Sequence, residues 1–253
     1  MSDAPLTVFL AGATGAVGSV FLPRARAAGL RVRPHVRPKT AETHPLGKDP
    51  DAVVCDLGDA AAVDAAMREC AAIVCVVGTM RARFAAGDTY ETSDHAPVLR
   101  LVESARRTAY EPEGGESAAS RKLVRHVVLL SSLGARKAST TPPPPRDYLG
   151  WKFHAEETVR DSGMLYTVLR PSVFDSRTSG AQPSHGAERK PPPLMAGLFD
   201  VLGKLPGLRG MADDVRPIKV EVLADAIVRI VKERGPANTI LGGRKLWPLG
   251  SGA

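Results

Sequence analysis

A chain of 253 residues, 43% hydrophobic and 24% charged, has the balance of a packed globular protein rather than a disordered or fibrous one. Its longest apolar runs, such as Val127 to Leu130, fall far short of the roughly 20 residues that a bilayer-spanning helix needs. The net charge of +7 carries no long Lys/Arg block and aromatics are only 5%, which disfavours nucleic acid; a phosphate-rich small molecule, or solubility alone, accounts for the charge as well.

Met1-Ser2-Asp3 passes almost directly into a strand-like run, leaving no room for a secretory leader, so the expected setting is cytoplasmic. Cys55, Cys70 and Cys75 are odd in number and lack CxxC spacing, which fits buried reduced thiols better than a disulfide or metal framework.

In chain order, Leu6 to Ala11 is a short apolar run cut off at Gly12, the pattern of a buried parallel strand. Gly15 to Ala28 carries apolar residues at helical spacing, with Pro23 expected to kink the helix. Arg31 to Val36 predicts a second strand despite Pro34, which lacks the N–H that a sheet interior uses. Ala52 to Cys55 predicts a third strand, Asp59 to Glu69 a helix, Ala72 to Val77 a fourth strand and His95 to Arg107 a helix.

The stretch from Glu111 to Ser120, with Pro112, Gly114 and Gly115, predicts a flexible surface loop. Leu123 to Leu130 predicts the fifth strand. The prolines from Pro142 to Pro145 predict a stiff spacer. Tyr148 to Asp161 predicts a helix, Leu165 to Leu169 a sixth strand, Val220 to Val231 a terminal helix and Thr239 to Leu241 a closing strand. Strands alternating with helices predict an α/β, doubly wound parallel sheet. The polar excursion that begins at Asp175, together with the amphipathic stretch Leu194 to Leu202, predicts a small C-terminal lid or substrate lobe over 175–217 within a single domain, 1–253.

Gly12-Ala13-Thr14-Gly15-Ala16-Val17-Gly18 sets glycines three apart, directly after the first strand and at a helix start. A dinucleotide needs this arrangement: one glycine for the tight turn, one for close approach of the pyrophosphate and one for helix–strand packing. The helix amino terminus adds free N–H donors and a favourable dipole. An NAD site places an acidic residue about 20 positions onward. Here Arg37 and Lys39 occupy that region, and a guanidinium and an ammonium suit a 2′-phosphate, so the expected cofactor is NADP(H).

With these residues in view, the sequence resembles the atypical short-chain dehydrogenases/reductases, a Rossmann-fold superfamily, over nearly its whole length. Residues 12–18 look like the family's opening motif, and Val36-Arg37-Pro38-Lys39 looks like its NADP-selecting segment. Asp56 and Leu57 are similar to the pair that borders the adenine, and Gly78-Thr79 to the turn that lies along the cofactor. Leu130 to Ala135, Tyr148 to Lys152, and Thr167 to Pro171 match in order, with Pro171, Ser172 and Val173 expected at the cofactor. Within the group the likeness is to the Tat-interacting-protein-like oxidoreductases, through Tyr148 to Lys152, Arg170 to Phe174 and the closing helix region from Pro217 to Val231. The insertion near Glu111 to Ser120, the proline run and Pro34 depart from the pattern.

Tyr148 and Lys152 are four apart and share one helix face. An ammonium nearby favours the charged form of a phenol. The resemblance implies a Ser-Tyr-Lys constellation: Tyr148 donates a proton to a carbonyl oxygen as hydride arrives, Ser132 hydrogen-bonds that oxygen, and Lys152 also holds the ribose. His154 falls on another face from Lys152, and His95 has no partner at ligand spacing, so both are expected to be surface or structural. The expected activity is reduction of a small carbonyl or enone with NADPH. The alternative is an NADP(H)-sensing regulator acting through protein partners. Nucleic-acid binding ranks last, for want of stacking aromatics or a helix-turn-helix signature.

Overall fold

The computed structural model describes residues 5–78, 87–109, 125–137, 146–172, 174–175 and 216–250. The chain opens with β1 (Thr7–Ala11), α1 (Gly18–Ala27), β2 (Arg31–Val36), α2 (Pro38–Ala41), β3 (Val53–Val54), α3 (Ala60–Met67) and β4 (Ala72–Cys75). It continues with α4 (Ala96–Arg107), β5 (His126–Leu130), α5 (Arg146–Arg160), β6 (Leu165–Arg170) and β7 (Phe174–Asp175). It closes with β8 (Ile218–Lys219), α6 (Val220–Glu233), β9 (Thr239–Gly242) and α7 (Trp247–Gly250).

Seven strands form one sheet in the order β3-β2-β1-β4-β5-β6-β9, and each neighbouring pair is parallel. This is the doubly wound Rossmann arrangement. The winding reverses between β1 and β4, where such sheets open a crevice at the carboxyl ends of their strands. β7 and β8 pair separately in a two-stranded parallel sheet. Apart from Asp175, Arg216 and Pro217, the expected lobe over 175–217 lies outside the described residues, as do 111–120 and 140–145.

Alternation along the strands divides the core into two layers. Val8, Leu10, Val74, Val128 and Leu169 face one way and pack with Phe21 of α1 and Leu223, Ile227 and Ile230 of α6. Phe9, Ile73, Val127, Leu129 and Val168 face the other way and pack with Met67 of α3, Leu101 of α4 and Val159 of α5. Each such fully buried side chain contributes about 1.5–3 kcal/mol.

Pro34 is accommodated because β3 is short: Pro34 pairs with Leu10 of β1, and pairing with β3 starts only at His35. Pro23 lies on the exposed side of α1, and the helix continues through it. Asp59 caps α3 by accepting from the Ala62 N–H. Arg125, at the foot of β5, is wholly buried and donates to the carbonyls of Met67, Cys70, Ala105 and Thr108. It thereby satisfies orphan carbonyls where α3 and α4 end.

Candidate functional site

Because the strands run parallel, the segments that leave them meet at one edge. Gly12 follows β1, Arg37 follows β2, Asp56 lies beyond β3, Gly78 beyond β4, Ser131 and Ser132 follow β5, and Pro171 follows β6.

The glycine turn is shaped by backbone crowding. Gly12 has φ +90°, and a Cβ there would stand 2.9 Å from the Val76 carbonyl carbon. A Cβ on Gly15 would lie 3.2 Å from the Gly12 oxygen, and one on Gly18 only 2.1 Å from it. The Gly15 N–H donates to the Gly12 carbonyl, closing the turn, and α1 starts at Gly18 behind it. Val17 is buried, whereas Thr14, Gly15 and Ala16 are half-exposed at the rim. A cradle that side chains would fill, backed by a helix amino terminus, fits a pyrophosphate.

Arg37 and Lys39 are exposed where β2 turns into α2. The Arg37 carbonyl accepts from the Thr40 and Ala41 N–H groups, so the backbone there is fixed while both cationic side chains face solvent. Asp56 is exposed, accepts from the Gly58 N–H at 2.6 Å, and lies 3.6 Å from the Arg100 guanidinium. Leu57 is half-buried against the core.

Lys152 sits at the centre of the edge. Its ammonium is buried, 2.9 Å from the Asp94 carboxylate, and donates to the Val77 carbonyl at 3.3 Å and the Leu130 carbonyl at 3.2 Å. It thereby ties α5 to the ends of β4 and β5. Burial pulls its pKa down. The Asp94 charge, with smaller contributions from Tyr148 and Cys75, outweighs that and leaves it above the ordinary lysine value. Gly78, at φ +146°, is the neighbour that makes room: a Cβ there would stand 2.6 Å from Nζ and 2.5 Å from the Asp94 oxygen.

Tyr148, one turn before Lys152, is half-buried and packs edge-on to Tyr90, with ring centroids 5.5 Å apart. Ser132 is half-buried, with a weak 3.4 Å bond to the Leu133 carbonyl. Its neighbour Ser131 is buried and donates to Glu156, whose carboxylate also pairs with Arg170. The Leu133 N–H donates to the Pro171 carbonyl, and the Ser172 hydroxyl donates to the Arg216 carbonyl. Thr79 and Val173 lie outside the described residues.

The structure thus gathers Lys152, Gly78 and the Leu130–Ser132 turn, and it adds Asp94, Glu156 and Arg170, which sequence reasoning missed. Glu156 had a signal, since Tyr148, Lys152 and Glu156 follow one another at i, i+4 and i+8. Asp94 had none: it belongs to a π-helical turn, Glu91–His95, inserted just before α4. His95 leans on Trp151 and meets the Thr158 hydroxyl at 3.1 Å, and exposed His154 pairs with Glu157. A shallow depression between Pro5, Arg26, Gly29, Leu30, Arg31, Val32 and Asp51 lies at the opposite, amino-terminal end of β1 and β2, away from this edge. Arg26 and Arg31 in it are already paired with Asp49 and Asp51.

A parallel sheet with a glycine cradle at its winding reversal defines a Rossmann-type dinucleotide-binding protein. The chain belongs to the NAD(P)H-binding family, whose model matches residues 12–192. The chain is similar to the protein TIC 62, chloroplastic, of Arabidopsis thaliana, 28% identical over 199 residues, covering 70% of this chain and 29% of that protein. The Pisum sativum TIC 62 is 26% identical over 198 residues, covering 70% of this chain and 34% of that one. The chain therefore spans only about a third of the length of the curated relatives it matches.

Among solved structures, a protein described as an NAD-dependent epimerase/dehydratase from Bacillus halodurans superposes with a TM-score of 0.63 at 18% identity, covering 97% of this chain and 99% of that one. A short-chain dehydrogenase/reductase superfamily protein from Agrobacterium tumefaciens with bound NAD gives a TM-score of 0.60 at 18% identity, covering 93% and 77%. At these identities the structural neighbours speak for the fold. No helix among the described residues is long and apolar enough to cross a membrane.

Proposed function

We propose that this protein is an NADPH-dependent oxidoreductase that reduces a small carbonyl or enone substrate, working as one unit over 1–253 with 175–217 as its cover. The observation that carries the reading is the shared edge: the Gly12–Gly18 cradle and the buried Lys152 ammonium both border the turn after β4. When bound, NADPH supplies a hydride. The chain's own residues do the rest.

Backbone N–H groups at Thr14 to Val17, with the α1 amino terminus, hold the pyrophosphate. Arg37 and Lys39 select the 2′-phosphate, Asp56 and Leu57 border the adenine, and Gly78, Thr79, Pro171, Ser172 and Val173 line the nicotinamide side. Tyr148 donates the proton to the substrate oxygen, Ser132 holds that oxygen, and Lys152 holds the ribose. Cytoplasmic residence and a small-molecule partner belong to the same reading.

The test is a screen of carbonyls and enones for NADPH oxidation. Tyr148→Phe should lower turnover at least about 100-fold while NADPH affinity stays within a factor of about three. Unchanged turnover in Tyr148→Phe removes the proton donor from the scheme.

One observation favours a second reading, an NADP(H)-sensing regulator that acts through a protein partner. The buried Lys152 ammonium is already engaged by the protein, ion-paired with Asp94 and donating to the Val77 and Leu130 carbonyls. Strong stabilisation by NADPH without turnover of any substrate in the screen selects this reading over the first.

A further inference from the structure

We infer that Asp94 is a positioning residue, whose buried carboxylate fixes the Lys152 ammonium at the meeting of β4 and β5, facing the cofactor crevice. The inference rests on the proposed binding of NADP(H) at this edge.

Several independent features converge on the pair. Asp94 is 1% exposed and its side chain is wholly buried, a setting in which a lone carboxylate is not tolerated. It meets Lys152 Nζ at 2.9 Å. The chain departs from α-helical hydrogen bonding to put it there: the five residues Glu91–His95 form a π-helical turn, and regular α4 begins only at Ala96. Single π turns of this kind are frequent at functional sites. Gly78 leaves the space the pair occupies, since a Cβ on it would lie within 2.6 Å of both charged atoms.

The ammonium is ion-paired with the Asp94 carboxylate and donates to the carbonyls of Val77, just past β4, and Leu130, at the end of β5. A lysine held this way acts on the crevice as a fixed positive charge, with Asp94 as its anchor.

Among the described residues, the charged and titratable groups facing the ammonium are Asp94 from the π turn, Cys75 from β4 and Tyr148 from its own helix; β5 offers it the Leu130 carbonyl. Cys75 is itself pushed up to about 11 by burial and stays a neutral thiol at working pH. Asp94 is the carboxylate among these neighbours, and it is the one ion-paired with the ammonium.

The test is the pH profile of NADPH affinity, followed by fluorescence titration of the full chain from pH 6 to 10. In the wild type, affinity should hold level to beyond pH 9. Asp94→Asn keeps the shape and removes the charge. Its affinity should fall away on the alkaline side at least one pH unit earlier, a loss of about tenfold at the point where the wild type is still level. Lys152→Met should bind weakly at every pH, with no alkaline limb in this range. Asp94→Asn and wild-type profiles that superpose overturn the role of Asp94 and leave the cofactor reading standing, whereas a wild type that binds no NADPH at any pH overturns the cofactor reading itself. Should Asp94→Asn fail to fold, Asp94→Leu/Lys152→Met removes both charges together and should recover the fold; its failure to do so contradicts the pairing.

Discussion

The Gly12 carbonyl oxygen lies 2.1 Å from the place a Cβ on Gly18 would occupy, so the first turn of α1 rests directly on the end of β1. Both partners in that contact are backbone, and neither has a flexible side chain to move aside. Gly18→Ala should therefore lower stability by about 1–3 kcal/mol in urea denaturation. It should also weaken NADPH binding more than tenfold by displacing the turn that leads into the helix. A variant as stable as the wild type, with full NADPH affinity, contradicts this packing.

Arg37 and Lys39 stand free of the core on a backbone held by α2. Replacing both with Ala should leave the melting temperature and NADH affinity nearly unchanged while weakening NADPH by ten- to a hundredfold, about 1.5–3 kcal/mol for charge-assisted bonds to a phosphate. The measurement is paired calorimetric titration with the two nucleotides. An equal loss for both assigns these residues no selective role.

Much of the sheet edge is legible in the amino-acid sequence alone. β2 falls on the expected residues, Arg31–Val36, and α6 and β9 lie within two residues of expectation, because each carries a clean apolar pattern between punctuating residues. The glycine spacing marks the cradle because tight turns demand that residue type. Asp94 and Arg125 are not legible. Their partners lie 58 residues away for Asp94 and Lys152 and 55 for Arg125 and Cys70, and no local period encodes a contact of that range. Helix starts are displaced where short turns replace regular helix: α1 begins at Gly18 because residues 12–17 are spent on the turn, and α4 begins at Ala96 because the π turn comes first.

Glu156 is buried between the Ser131 hydroxyl and the Arg170 guanidinium, bonding Arg170 Nε at 2.8 Å. This triangle pins α5 to the ends of β5 and β6 beside the Ser132 turn. Glu156→Ala leaves a partly buried guanidinium without its carboxylate and should cost about 3 kcal/mol in urea denaturation. Glu156→Ala/Arg170→Ala should cost less than the two single changes together, since it removes both charges. Strict additivity contradicts the coupling.

His126 lies in β5 with no exposed surface, and its Nε2 meets the Thr167 hydroxyl at 2.8 Å. That hydroxyl donates to the Pro236 carbonyl, so Nε2 carries the ring proton and Nδ1 is the bare acceptor. Burial, with the nearby Arg234 charge adding, pushes the His126 pKa down to about 4. The unfolded chain binds the proton near pH 6.5 and the folded chain does not. Stability from this residue is therefore complete above about pH 6.5 and is lost as pH falls toward 4, by about 3 kcal/mol if His126 acts alone. Urea midpoints measured between pH 7.5 and 4.5 should decline, and His126→Gln should flatten that decline. An equal slope in the two proteins contradicts the assignment.

On the proposed reading, residues 12–18 cradle a dinucleotide whose 2′-phosphate is read by Arg37 and Lys39. Isothermal titration of the full chain with NADPH and NADH is the decisive measurement. Saturable one-to-one binding of NADPH is expected, at least tenfold tighter than NADH, and abolished by Gly15→Asp, which sets a carboxylate where phosphate belongs. Absence of heat with either nucleotide, or NADPH binding undiminished in Gly15→Asp, would overturn the reading.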